Sequence, residues 1–173
     1  MADSDWGILD DIAKDIAAIN NSGDPVFGNL TDDTTTRIPI LDNINEIDGI
    51  ISFKSNKPEA YLVYHGTTEQ RDENNIDLIN SVVNMTIVAA YQVKEDFAQE
   101  NDRVQNEIQL KNDILNAIYA DRGRSTLAHY LVVDGEAIYG TEAGEVVSEE
   151  IKAPNYKISI PVRCAYQHTA TGR

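Results

Sequence analysis

The sequence predicts an α+β fold: a mostly antiparallel mixed sheet packed against an N-terminal helix and one long central helix, in a single domain over 1–173. Three observations predict it. Apolar residues recur every three or four positions in two stretches, as one buried helix face requires. Apolar residues recur at every second position from Val83 to Val93 and alternate cleanly with other residues over 156–166, as strands require. The 173 residues, 42% hydrophobic and 25% charged, also suffice for one core without disulfides or metal.

The first helix spans 5–19. Ile8, Leu9, Ile12, Ile16 and Ile19 share one face, Asp10, Asp11, Lys14 and Asp15 lie opposite, and Ser4 or Asp5 supplies the cap. The breaker cluster from Asn20 to Pro25 ends it. Residues 26–58 hold two short strands, one around Ile38–Leu41 and one around Ile50–Phe53, with Pro39 placing the first at an edge or bulge. Ala60–His65 and Val82–Lys94 form an antiparallel pair, with Val83, Met85, Ile87, Ala89, Tyr91 and Val93 on one face. The polar connection 66–77 between them is too long for a tight turn and should project into solvent or onto a partner.

The long helix covers 95–121, with Phe97, Val104, Ile108, Leu115, Ile118 and Tyr119 on its core stripe and Gly123 as its stop. Leu131–Val133 and Ala137–Tyr139 flank Asp134-Gly135, the signature of a two-residue hairpin. The closing strand turns Tyr156, Ile158, Ile160, Val162, Cys164 and Tyr166 one way and Lys157, Ser159, Pro161, Arg163 and Ala165 the other. Sheet strands thus fall within 34–66, 82–94 and 129–167, and 168–173 reads as a flexible tail.

Charge narrows the function. The 29 acidic residues outnumber the 14 basic ones, leaving a net charge of −15, and such a field repels nucleic acid and anionic membranes. A plain solvated surface, adaptation to high salt, and a surface that faces DNA without holding it all fit this charge. Cys164 is the only cysteine, so no intrachain disulfide forms, and its place on an apolar strand face makes it an inert core thiol. The acidic N-terminal stretch lacks a signal peptide's basic region, and no apolar run is long enough to span a membrane, so synthesis in the cytoplasm is expected. The sequons at Asn29 and Asn84 then have no glycosylating compartment.

Motifs for chemistry are missing. There is no Gly-x-Ser-x-Gly turn, phosphate loop or dinucleotide fingerprint, and His65, His129 and His168 lie far apart without metal-ligand spacing. Asp42–Gly49 departs from a calcium loop because Ile44 stands where an oxygen ligand is needed. The sequence therefore predicts no enzyme and no catalytic, cofactor-binding or metal-ligating residue, and points instead to surfaces that meet other proteins. The candidates are Arg71, Asp72, Glu73 and Asn74 on the charged connection, Arg122 and Arg124 after the long helix, and Pro161 and Arg163 on the closing strand. Arg122 and Arg124 also suit the negative end of the helix dipole, and Pro161 argues for a strand bordering an edge or a neighbouring subunit.

The order of elements resembles the tail terminator (head–tail joining, or neck) proteins of long-tailed phages and viruses. The residues carrying the resemblance are the helix Ile8–Ile19, VVNMTIVAAYQVK at 82–94, NEIQLKNDILNAIYA at 106–120 and NYKISIPVRCAYQ at 155–167. The resemblance implies a structural virion protein at the tail–neck junction: a homo-oligomeric, hexameric ring that caps the tail tube and offers its other face to the neck or connector proteins. DNA would pass through it without specific binding. The irregular stretch 26–58 and the Asp134-Gly135 hairpin depart from the family pattern. Another neck protein, such as a head–tail connector or tail completion protein, shares size, acidity and ring habit; a cytosolic binding module or an enzyme without familiar motifs stands further off.

Overall fold

The computed structural model describes residues 4–31, 36–53, 55–92, 100–124, 128, 130–133, 138–142 and 155–169. Helix α1 (Ser4–Ala17) buries Ile8, Leu9, Ile12, Ala13, Ile16 and Ala17, the face that its sequence period marks out. Each large aliphatic side chain so buried stabilises the fold by roughly 1.5–3 kcal/mol. The breakers after it form a small hairpin, β1 (Asn20–Asn21) with β2 (Asp24–Pro25). Its turn residues Ser22 and Gly23 both have positive φ, 51° and 89°, as a two-residue turn of this hand requires.

Strand β3 (Ile40–Leu41) pairs parallel with β4 (Glu59–Arg71), and every other pairing in the main sheet is antiparallel, in the order β3, β4, β5 (Leu78–Gln92), β8 (Asn155–Thr169), β6 (Tyr130–Val133). The second short strand expected near Ile50–Phe53 is instead helical at its start. A 3-10 turn (Ile44–Glu46), capped by the Asn43 side chain, leads into the single-turn helix α2 (Ile47–Ile50). Ile47, Ile51 and Phe53 then pack on Tyr61, Val63, Val88 and Ala90, forming a small cluster on the sheet face opposite the helices.

Strands β4 and β5 (Leu78–Gln92) are longer than their apolar cores. Pairing continues through Thr67↔Val83 to Arg71↔Ile79, so the expected loop 66–77 contracts to Asp72–Asp77. Polar residues suffice there because the ribbon has run past the main cluster, whose last β5 member is Val83. The register shifts between Tyr64 and Gly66, and Gly66 sits at φ 108°, a conformation that side-chain-bearing residues avoid. Gly66→Ala is expected to lose about 1–2 kcal/mol of stability in urea unfolding through backbone strain alone, since an added Cβ would meet nothing within 4 Å. An unchanged midpoint would show that the bulge tolerates a side chain.

Helix α3 (Glu100–Ala120) follows residues 93–99, which lie outside the described residues together with the expected helix start at 95. Its core face differs from the expected stripe. Leu110, Ile114 and Ile118 are buried, whereas Val104 (40% exposed), Ile108 (50%) and Tyr119 lie on the surface. The rotation traces to Glu107, buried because its carboxylate accepts a hydrogen bond from the Tyr91 hydroxyl. An acid that a tyrosine satisfies takes a core position which hydropathy assigns to its neighbour Ile108.

Strands β6 (Tyr130–Val133) and β7 (Ile138–Glu142) overturn the expected hairpin. Both pair antiparallel with β8 (Asn155–Thr169): Val133 lies opposite Val162 and Ile138 opposite Ser159, so the two continue one another along β8 instead of facing each other. The Asp134-Gly135 dipeptide between them lies outside the described residues. Two partners shared along one long strand satisfy more backbone than an isolated two-stranded hairpin does. Pro161 falls opposite the break, where neither β6 nor β7 is in register, although β8 is otherwise interior to the sheet. Strand β8 also runs through His168 and Thr169, which pair with Ile79 and Leu78, so those two residues are strand and not tail. The main cluster lies between α1, α3 and one face of β4, β5 and β8, with Phe27 and Ile38 closing it.

Candidate functional site

The hairpin tip carries four of the residues that the sequence singled out. Asp72 organises it. Its backbone N–H donates to the Leu78 carbonyl at 2.9 Å, and its Oδ1 accepts from the N–H groups of Asn74 (2.8 Å) and Asn75 (3.1 Å). Asn80 donates to the other oxygen at 3.4 Å, and the Asn74 N–H and Asn80 amide hold the Asp72 carboxyl below the usual carboxylate range. Asp72 therefore shapes the turn, while Arg71, Glu73 and Asn74 are exposed around it. The tip also presents Ile76, 71% exposed, which the sequence reading passed over. A lone aliphatic residue within DENNID was the available signal.

The remaining candidates separate. Pro161 and Arg163 lie on the sheet face away from the helices, in register with Thr86 and Asn84. Arg122 is exposed on the helix side, its guanidinium 4.6 Å from the Tyr119 ring centroid. Arg124 is no surface residue: it is fully buried, with φ 47°. Its Nη1 reaches Asp15 Oδ2 at 2.5 Å and Asp11 Oδ2 at 3.3 Å, and its Nη2 donates to the Ile118 carbonyl at 2.9 Å. It joins α1 to the end of α3 and is unavailable to a partner.

The sheet leaves two features open. The Asn29 side-chain amide bonds both the carbonyl and the N–H of Ala60, and Pro39 accepts from the Leu62 N–H, so the outer edge of β4 is covered through Val63. From Tyr64 to Arg71 no described strand pairs with that edge. Beyond the small cluster, the face away from the helices carries Thr68, Gln70, Asn80, Asn84, Thr86, Arg163 and Gln167 and no carboxylate among the described residues. Acid concentrates elsewhere: on α1 at Asp10, Asp11 and Asp15, on the 42–48 segment at Asp42, Glu46 and Asp48, and at the tip. The sequons are also explained structurally, since Asn29 is engaged with β4 and Asn84 bonds the Gly66 and Val82 carbonyls inside the ribbon.

Ser81, His168 and Glu69 meet on the other ribbon face and have the residue types of a nucleophilic triad. Their geometry is wrong for one. Ser81 Oγ at 3.0 Å and Glu69 Oε1 at 3.8 Å both address His168 Nε2, while Nδ1 lies 3.2 Å from the Thr169 carbonyl oxygen. A triad needs nucleophile and orienting acid on opposite ring nitrogens and a reachable hydroxyl, and Ser81 is fully buried. Cys164 is likewise buried in the core, where desolvation pushes its thiol up to about 12. Among the described residues no group of His, Cys, Asp and Glu is placed to hold a metal ion, and no helix is long and apolar enough to cross a membrane.

These features define an α+β domain whose distinctive surfaces are a hairpin tip, an open strand edge and a bare sheet face. No protein-family model matches the chain, and no curated protein matches it either.

Proposed function

We propose that the chain is a structural ring subunit, a tail terminator that caps a tail tube and joins it to the capsid neck of a long-tailed virus. The observation that carries this reading is the β4–β5–β8 ribbon, which runs past the core with an open β4 edge from Tyr64 to Arg71 and ends in an exposed tip. Unpaired strand edges are hazards that folded proteins normally blunt, and one retained over this length suits a chain that completes its pairing in an assembly. Arg71, Glu73, Asn74 and Ile76 then meet the adjoining ring, an apolar anchor among charged residues.

The acidic surface takes a specific form in this reading. Carboxylates lie on α1, on the 42–48 segment and at the tip, not among the strand residues of the bare sheet face, so a passage that repels DNA by charge is bordered by one of those three. A head–tail connector or tail completion protein shares these traits and differs in its place in the stack.

Mass measurement of the purified chain with and without tail tubes is the deciding experiment. Ring-sized species and tubes that stop growing are expected; a strict monomer that never caps tubes ends the proposal, and binding to connector rings alone moves the chain up the neck. Ile76→Asp is expected to weaken tube capping at least about tenfold by placing a charge in a desolvated contact, with the unfolding midpoint unchanged. Undiminished capping would remove the tip from the interface.

A further inference from the structure

Between the first turn of α1 and the sheet border lies an open cleft of about 490 Å³, away from the hairpin tip. Its walls are apolar, formed by Leu9, Ile40, Leu41 and the indole of Trp6, and Asp42 and Glu46 stand among the residues that line it. Trp6 is 44% exposed, a large aromatic surface left uncovered on a helix whose other large apolar side chains are buried. Both carboxylates are on exposed residues, whereas the third acid of the cleft, Asp5, is already engaged by the Thr67 and Tyr166 hydroxyls at 2.8 and 2.6 Å. No lysine or arginine is among the lining residues.

Apolar walls beside an aromatic face and two carboxylates suit a group that is aliphatic along its length and cationic at its end. Anions are disfavoured by the same carboxylates. The chain already uses the indole this way once: the Arg37 guanidinium lies 5.1 Å from the Trp6 ring centroid while bonding Asp10 at 2.6 Å. The location adds a second constraint. Tyr64 lines the cleft and is also the first residue of the uncovered β4 edge, so an extended segment pairing there starts beside the cleft.

We propose that the cleft receives a lysine or arginine side chain from an extended segment of a partner protein, laid along the open edge of β4. Backbone pairing supplies the hold and the cleft supplies the choice of side chain. The partner is basic where this chain is acidic, which separates it from a second copy carrying the same −15 charge.

Trp6 is the only tryptophan in the chain, so its fluorescence reports on this cleft directly. The full chain is titrated with acetyl-Val-Arg-Val-Lys-Val-amide, with the neutral acetyl-Val-Gln-Val-Gln-Val-amide, and with butylguanidinium alone. The basic peptide is expected to give a saturable change that weakens with salt, and the neutral peptide to bind about tenfold more weakly. The double variant Asp42→Asn, Glu46→Gln is expected to bring the basic peptide close to the neutral one, with an unaltered unfolding midpoint. The proposal is overturned if the basic peptide gives no saturable change, if the two peptides bind equally, or if the double variant binds like the parent. Butylguanidinium binding as tightly as the peptide makes this a small-cation site and overturns the segment. A signal that follows protein concentration without peptide assigns the cleft to a second copy and overturns the basic partner.

Discussion

Arg124→Ala is expected to lose about 3–5 kcal/mol of unfolding free energy, the range for breaking a buried ion pair by removing one partner. The side chain is fully enclosed and joins two acids of α1 to the last turn of α3, so its removal leaves a cavity and frees the Ile118 carbonyl. Burial pushes the Asp11 carboxyl up even with Arg124 beside it, and without the guanidinium nothing opposes that shift but Lys14. A comparison separates backbone from side chain. Because Arg124 holds φ 47°, Arg124→Gly relieves strain that Arg124→Ala retains, and the glycine variant should be the more stable by about 1 kcal/mol. Urea unfolding of both variants checks this; a loss under 1 kcal/mol for the alanine variant would show that the pair merely breaks even with its desolvation.

Glu59→Ala should lose about 2–6 kcal/mol, at one to three for each of the two buried donors, the Phe53 N–H and the Tyr61 hydroxyl, left without its acceptor. The Glu59 carboxylate, 3% exposed, accepts from the Phe53 N–H at 2.7 Å, from the Ser52 N–H at 3.3 Å and from the Tyr61 hydroxyl at 2.5 Å. It holds Phe53 at φ 45° and thereby keeps Ile47, Ile51 and Phe53 on the sheet. Burial and this carboxylate together raise the Tyr61 hydroxyl well above its usual range, so it stays a donor. The loss should be local before it is global: hydrogen exchange at Phe53 should accelerate far more than at Ile87 in the centre of β5. Equal acceleration at both would mean that the segment is not a separable unit.

Much of the fold was legible because period reports burial wherever one face is buried. Ile8, Ile12 and Ile16 gave α1, and Val83, Met85, Ile87 and Ala89 gave β5 with its facing. The alternation from Tyr156 to Tyr166 gave β8 and both of its faces. Two of the failures share one cause, a polar partner that hydropathy does not see. Glu107 is buried through Tyr91 and turns α3 away from Val104 and Ile108; Arg124 is buried through Asp11 and Asp15 and so leaves the candidate surface. Thr67 to Arg71 read as loop because their backbone pairing needs no apolar side chains. Asp134-Gly135 suggested a hairpin, but a dipeptide cannot tell whether its flanking strands pair with each other or share a third. At the surface, the charged tip was legible from composition, whereas the exposure of Ile76 and the cleft beside Trp6 depend on contacts distant in sequence.

The position of β8 bears on how the chain reaches its folded state. It is the last of the strands in sequence order, yet it sits between β5 and the β6–β7 line, paired with β5 along its whole length from Asn155 to Thr169. During synthesis, β5 and the underside of α1 must wait with their apolar residues unsatisfied while the intervening residues emerge. The pairing that closes the sheet is long-range, the kind of contact that slows folding.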